Sequence, residues 1–355
     1  MEQKIGFGII GLGSVAKTHA FALSKAEKSY LAGAYSSNKE KVEAFCEQYG
    51  GRPYTDLEAF LKDQELQVVD IATPSGLHKE VAIEALKAQK HVLVEKPLEI
   101  SIERCEAIIA EAKRQGKLLG GIFQSRFYDA PRLIKNAIDE GRFGKLTMVE
   151  ASVKWYRSQE YYDSGAWRGT WELDGGGAMM NQGIHAIDLL AWFGGEVSSI
   201  IGFTQTAAHK RIEVEDNGVA ILKFKNDALG VIECSTSIYP GFTKRIEICG
   251  TDGSAILEDE TLVAWSFKKE RPEDEEIRKK YSNANSSEGG AANPSAINYV
   301  GHMRQFDDFA KAVQTGTKPF ITGEEASKAV EIIKGIYESA KNRGVVTLSE
   351  KGETK

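Results

Sequence analysis

An apolar run, Ile5 to Ile10, opens the chain and ends at Gly11-Leu12-Gly13, after which Val15, Ala16 and Ala20 fall at helical spacing. A short run without polar alternation reads as a strand covered on both faces, and the spacing that follows reads as a helix. The alternation then repeats. Tyr30 to Tyr35 reads as a strand, and Ser37-Asn-Lys-Glu40 as a capping box opening a helix with Val42, Phe45 and Tyr49 inward. Thr55-Asp-Leu-Glu58 reads as another box, opening a short helix over Leu57 to Leu61. Gln67 to Ala72, His91 to Val94 and Leu118 to Phe123 are further strands, separated by helices over Leu77 to Ala88 and Ile102 to Arg114. Strands alternating with helices of this length predict a parallel sheet with helices on both faces.

Downstream the period changes. After a helix over Pro131 to Glu140, stopped by Gly141, strands dominate: Leu146 to Trp155, Val219 to Lys225, Leu229 to Ser237, Arg245 to Cys249, Ser254 to Glu258 and Leu262 to Phe267. Leu222 and Phe224 alternate with Lys223 and Lys225, and turns such as Asn226-Asp227 and Asp252-Gly253 are short. That pattern predicts a mostly antiparallel sheet with one face covered and one open. A large open face predicts burial against another subunit. Glu270 to Ser295 is charged, then Gly/Ser-rich, and too polar to build core. It reads as a mobile excursion, either a solvated loop or a lid or interface arm. Amphipathic helices over Val300 to Val313 and Glu324 to Lys341 follow, the second entered through the capping box Thr322-Gly-Glu-Glu325, and Gly344 to Leu348 is a last short strand. The fold class is α/β: a doubly wound parallel sheet over residues 1–123 and an α+β domain with a large open sheet over 124–355. The last helix is able to pack back on the first domain.

A length of 355 residues supports two domains. The net charge of −6 and pI near 5.7 argue against nucleic acid or an anionic membrane as partner. No apolar run approaches the ~20 residues of a membrane span, and no leader pattern precedes the first strand, so the expected location is the cytoplasm. Cys46, Cys105, Cys234 and Cys249 show no CxxC or metal-like spacing and read as buried reduced thiols.

Four segments fall where strands of the parallel sheet end, the edge at which such sheets bind ligands. The first is the glycine turn. Gly11 permits the tight turn, Gly13 lets backbone approach a pyrophosphate, and Ala16 lets helix pack on strand. Ser14 and Val15 open the helix, whose free N–H groups and dipole favour phosphate. The second is Tyr35-Ser36-Ser37-Asn38, which lacks the acidic residue that binds the ribose 2′-OH of NAD. Ser36, Ser37 and Lys41 lean instead towards the 2′-phosphate of NADP; a helix cap and a solvated lysine are the plainer alternative. The third, Ala72 to His78, holds Thr73, Pro74 and His78 as a wall for nicotinamide, although a simple loop would look the same. The fourth is Glu95-Lys96-Pro97. An ammonium at an inner strand end is costly to bury unpaired. Beside a positive nicotinamide its pKa falls, which suits proton exchange with a substrate hydroxyl. Glu95 is placed to orient it, and the bond to Pro97 is open to the cis form.

In the second domain three glycines, Gly175 to Gly177, lead into a helix over Ala178 to Trp192. Asn181, His185 and Asp188 share one of its faces by spacing. His185 reads as an acid/base or hydroxyl-binding group, with a core histidine as the alternative; a metal-ligand pattern is missing. Upstream, Tyr162, Trp167 and Arg168 belong to a loop dense in aromatic and Arg residues. Flat rings suit a sugar and Arg suits a carboxylate or phosphate, with interface packing as the competing explanation.

Together GLGSVAKTHA, ATPSGLH, VEKPL, GGGAMMNQGIHAIDLLAWFGG and the closing HMRQFDDFAKAVQTG and GEEASKAVEIIKGIYESA segments resemble the Gfo/Idh/MocA family along the whole chain. The resemblance implies a Rossmann domain, a second domain on an open antiparallel sheet, a bound NAD(P), and homodimers or homotetramers formed through that sheet. It places the family's catalytic lysine at Lys96 and its helix histidine at His185. Many members carry Asp four residues before that histidine, where this chain has Asn181. Asn cannot relay a proton, which leaves transfer to Lys96 or His185 and binding to Asn181. The Met-Asn-Gln run and WRGTWE resemble the branch of UDP-N-acetylglucosaminuronate 3-dehydrogenases, whereas Ser36 with Lys41 resembles glucose–fructose oxidoreductase. The expected activity is hydride transfer between nicotinamide and a secondary alcohol or ketone of a sugar or sugar derivative. Glycoside cleavage or epimerisation with recycled cofactor, and a non-catalytic NAD(P)-binding regulator, are the alternatives.

Overall fold

The computed structural model describes residues 3–282 and 298–348. The chain forms two compact units: Met1–Phe127 with Glu172–Gly175 and Ile297–Val330, and Tyr128–Trp171 with Gly176–Ala296 and Glu331–Lys355.

In the first unit strands and helices alternate as β1 Ile5–Ile10, α1 Ser14–Lys25, β2 Ser29–Tyr35, α2 Lys39–Tyr49, β3 Arg52–Tyr54, α3 Leu57–Lys62, β4 Val68–Ile71, α4 His78–Lys87, β5 His91–Val94, α5 Ile102–Gln115 and β6 Leu119–Gly121. The six strands are parallel, in the order β3-β2-β1-β4-β5-β6, so the order reverses between β1 and β4. Complete burial of β1 and β4 explains their apolar runs.

The second unit contributes α6 Asp129–Asp139, β7 Leu146–Lys154, α7 Gln159–Asp163, a π-helical turn Ala178–Gly183, α8 Ile184–Gly194, β8 Val197–Gln205, β9 Asn217–Phe224, β10 Leu229–Ser235, β11 Arg245–Gly250, β12 Gly253–Glu258, β13 Thr261–Phe267 and α9 Pro272–Tyr281. Then come α10 Tyr299–Thr315 of the first unit, α11 Gly323–Asn342 and β14 Val346–Thr347. The sheet runs β13-β12-β11-β7-β10-β9-β8-β14 and is antiparallel except where β10 lies parallel to β7. One face is covered by α8, packed on β7 and β11. The other leaves Phe203 65%, Ile221 56% and Val219 49% exposed. Ile201 faces Ile221, and Phe203 faces Val219, across the β8–β9 pair.

Within the first unit α10 lies on α1, and its Phe306 and Phe309 meet Phe7 of β1 edge-on. This long-range closure brings residues beyond 297 under the parallel sheet's first strand.

Several expectations are corrected. Asn38, not Ser37, caps α2, its side chain accepting the Lys41 N–H at 2.9 Å, and Asp56, not Thr55, caps α3. In both places adjacent residues are all good caps, so sequence leaves the choice to local backbone geometry. The short edge strand β3 and the whole of β8 were not anticipated. Ser198, Ser199 and Gly202 interrupt the β8 pattern, and its apolar residues divide between two faces. The Ala178–Trp192 helix is two pieces, a π-helical turn and then α8.

The charged stretch after Glu270 contains α9, anchored by a fully buried Asp274. Arg142 donates to both its oxygens at 2.9 and 2.7 Å, Trp265 Nε1 donates at 2.7 Å, and the Arg271 N–H at 2.7 Å. Burial opposes this charge, yet these donors hold the carboxyl down at about 2. The remainder of that stretch, residues 283–295, lies outside the described residues. The four cysteines are free thiols, three of them buried. Among the described residues no helix is long and apolar enough to cross a membrane.

Candidate active site

Strand ends of the first unit's sheet carry the candidate cofactor residues. Gly11 turns with φ +96°, and a Cβ there would stand 2.5 Å from Ala72 and Thr73 backbone atoms. Glycine is therefore needed both for the dihedral and for the close approach of the β1 and β4 ends, where the strand order reverses. Gly13 is different: nothing lies within 4 Å of where its Cβ would be. α1 begins there with no side-chain cap and no acidic residue in its first turn, with Ser14 exposed and Val15 half-buried. Ala16 is fully buried. An anion such as a pyrophosphate fits this geometry.

At the end of β2, Ser36 Oγ accepts the Asn38 N–H at 3.2 Å, while Ser37 and Lys41 are exposed. Thr73 and Pro74 are half-buried. His78 is buried, with its ring nitrogens 2.9 Å from the Thr73 carbonyl and 3.0 Å from that of Pro97. It ties the third segment to the fourth rather than standing open, and burial pushes its imidazole below the ordinary value.

Lys96 is half-buried and its bond to Pro97 is cis. Glu95 is buried and accepts the Lys96 N–H at 2.9 Å. Its other oxygen lies 3.1 Å from Nε2 of His19, whose Nδ1 lies 2.8 Å from Asp70. Sequence reasoning passed over His19 and Asp70. A signal was present: a carboxylate inside the apolar run Gln67 to Ala72 demands a buried partner.

In the second unit the π-helical turn carries Asn181, and α8 carries His185 and Asp188. The wider π turn breaks the simple i, i+4 register assumed between Asn181 and His185. Asn181 and His185 are half-buried, and Asp188 is buried. The turn is held by Glu215, which accepts the Gly177 N–H at 3.0 Å, the Met179 N–H at 2.9 Å and the Tyr337 hydroxyl at 2.9 Å. Burial pushes the Glu215 carboxyl up to about 7 against the pull of these donors. A Cβ on Gly177 would overlap the Glu215 carbonyl, and one on Gly176 the Tyr337 hydroxyl. These two glycines serve close protein packing.

Gln182 joins the candidates of this unit. Its amide donates at 2.9 Å to Asn181 Oδ1 and at 2.9 Å to the Tyr161 hydroxyl, while its carbonyl accepts from Arg157 at 2.9 Å. Arg168 donates to the same Tyr161 hydroxyl at 2.7 Å, and its guanidinium lies over the Tyr161 and Trp167 rings at 4.3 and 4.5 Å. Asn181, Trp167 and Arg168 are thus gathered into one network. Tyr162 is buried, its ring edge-on to Tyr161 at 5.3 Å and against His209, and its hydroxyl 2.8 Å from Thr236. Gln182 was missed; Arg157 and Tyr161 belong to the aromatic and Arg-rich loop but were not singled out, because choosing between adjacent tyrosines requires knowing which way α7 turns.

Residues 5–122 match the family model described as an NAD-binding Rossmann-fold oxidoreductase family, and residues 132–256 match that of the GFO/IDH/MocA C-terminal domain. The WlbA dehydrogenase of Bordetella pertussis, solved with NADH and UDP-GlcNAcA, is 33% identical over 98% of this chain and 99% of its own, with a TM-score of 0.90. The chain belongs to the Gfo/Idh/MocA oxidoreductase family. The WlbA dehydrogenase of Chromobacterium violaceum, also solved with NADH and UDP-GlcNAcA, is 33% identical over 99% of this chain and 98% of its own, with a TM-score of 0.87. Myo-inositol 2-dehydrogenase of Thermotoga maritima is 24% identical over 97% of this chain and 98% of its own. Membership makes the chain an NAD-binding oxidoreductase, and its relatives are dehydrogenases of sugars and sugar derivatives.

Proposed function

We propose that the chain oxidises a secondary hydroxyl of a nucleotide-linked hexuronic acid. The full-length 33% identity to the two WlbA dehydrogenases carries this reading. Within the second unit, two guanidinium groups, Arg157 and Arg168, meet around Tyr161 and Gln182, and a guanidinium suits a substrate carboxylate. Bound nicotinamide supplies the hydride acceptor. Gly11, Gly13, Ser14, Val15 and Ala16 cradle the pyrophosphate, and Thr73 and Pro74 border the nicotinamide. Lys96 exchanges the hydroxyl proton, while Asn181 and His185 bind sugar hydroxyls. Trp167 offers a flat face to the sugar. Tyr162 and Asp188 are both buried, which favours a supporting role over contact with substrate.

Purified protein assayed for reduced nicotinamide with UDP-GlcNAcA, myo-inositol, levoglucosan and glucose 6-phosphate tests the substrate class. The uronate should exceed the uncharged sugars in kcat/KM by about ten- to a hundredfold, the worth of a charged hydrogen bond. Preferential turnover of inositol or levoglucosan sinks the proposal.

The β2 end supports NADP, since Ser36, Ser37 and Lys41 stand there without a carboxylate. NADH in the WlbA structures, and the use of Ser36 Oγ as a local acceptor, support NAD. Calorimetric titration with NADH and NADPH, after stripping bound nucleotide, decides between them. Tighter NADPH makes Ser36 and Lys41 phosphate ligands, and tighter NADH leaves them structural. The exposed apolar face of β8 and β9 supports a homodimer or homotetramer formed through the second unit's sheet.

A further inference from the structure

His19 stands in a buried site that offers it two carboxylates. It is fully buried, as is Asp70, and Glu95 is nearly so. Nδ1 lies 2.8 Å from Asp70 Oδ2, and Nε2 lies 3.1 Å from Glu95 Oε1. An ionised carboxylate only accepts hydrogen bonds, and a neutral imidazole has only one N–H to give. Three groups in this arrangement therefore share an additional proton, and the imidazole, more basic than either carboxylate, takes it. Both ring nitrogens then donate. Glu95 is left as a carboxylate with one oxygen on His19 and the other accepting the Lys96 N–H at 2.9 Å.

We propose that His19, held as an imidazolium between Asp70 and Glu95, is a positioning residue for Lys96: it pins the carboxylate that receives the Lys96 N–H and so fixes the backbone from which that ammonium leaves the sheet. This rests on the reading of Lys96 as the proton-exchanging residue. Each contributor comes from a different element: α1 supplies His19, β4 supplies Asp70, and the end of β5 supplies Glu95 and Lys96. The other ionisable groups facing the cluster are His302 of α10, with Nε2 3.9 Å from Glu95 Oε1 and its ring 5.1 Å from that of His19, and His78 of α4, within electrostatic range of Glu95. His302 is kept neutral by burial and by the His19 charge, which push it down to about 3. Burial opposes charge on His19 too, but Asp70 and Glu95 overcome it and raise it to about 10. Glu95 is held at about 2 against its own burial, by His19 foremost and by Lys96. The cluster therefore holds one fixed cation between two fixed anions, directly behind Lys96.

Histidine 15N NMR of the full protein tests the charge first. Both ring nitrogens of His19 should carry protons at about pH 8, where an ordinary histidine is neutral; a single N–H there overturns the proposal. Glu95→Gln tests the consequence. Its carbonyl can still accept the Lys96 N–H, and its amide can donate to a neutral His19, so the shape is kept and the charges go. One proton should leave His19. Because the acceptor of the Lys96 N–H is kept, Glu95→Gln should retain most of kcat, whereas His19→Leu, which frees the carboxylate, should lower kcat by about tenfold or more with KM little changed. Full kcat in His19→Leu, with Lys96→Ala inactive, overturns the positioning role alone. Full turnover in Lys96→Ala overturns the role of Lys96 itself and with it this proposal, whatever the NMR shows.

Discussion

Lys96 leaves the sheet from a backbone held on both sides, by the Glu95 carboxylate before it and Pro97 after it. Such fixing suits a group that must meet a hydroxyl at one place. Lys96→Ala should lower turnover by about 10²–10⁴, the usual worth of a positioned acid or base, with nucleotide affinity by titration nearly unchanged. His19 makes stability depend on pH. Its value of about 10 in the folded protein lies above the ordinary 6.5, so its contribution is complete below about pH 6.5 and is lost as pH rises through 10. Denaturant unfolding should show the wild type losing stability over that interval, and Glu95→Gln losing less. The places of Lys96 and Gly11 in the fold were legible because they are set locally: one follows an apolar strand, the other turns it. His19 and Asp70 were not, since the two carboxylates it meets lie 51 and 76 positions away.

Between β7 and β8 the decisive element is the π-helical turn Ala178–Gly183. Its first N–H groups are satisfied by Glu215, a side chain from a different segment. A carboxylate can accept from Gly177 and Met179 with separate oxygens, and a carboxamide cannot. Glu215→Gln should therefore cost about 1–3 kcal/mol by leaving a buried N–H unmet, read by thermal unfolding. Because the turn carries Asn181, KM for the sugar should rise while nicotinamide affinity holds. The glycines that permit this arrangement were visible in sequence, but their purpose was not. α9 gives the same lesson with opposite appearance: a charged stretch that reads as solvent is anchored by Asp274, whose bidentate partner Arg142 is 132 residues away.

Taken as a whole, the molecule leaves an apolar sheet face in water unless another chain covers it. Phe203, Val219 and Ile221 stand on adjacent strands of that face. Phe203→Glu with Ile221→Glu should lower the sedimenting mass to that of one chain, and leave the fold intact by circular dichroism. An unchanged mass would assign the assembly to another surface. The alternation of strands and helices, the change of period after residue 123, the glycine turn and the strand-end lysine were all determined by sequence. Each is a regularity between neighbours, set by the periods of strand and helix and by the steric freedom of glycine. Tertiary structure alone decided which of Tyr161 and Tyr162 joins Arg168, that a π turn interrupts the long helix, and that His19 sits charged behind Lys96. Those depend on partners far along the chain, and on burial that leaves a polar group no alternative to the neighbour the fold supplies.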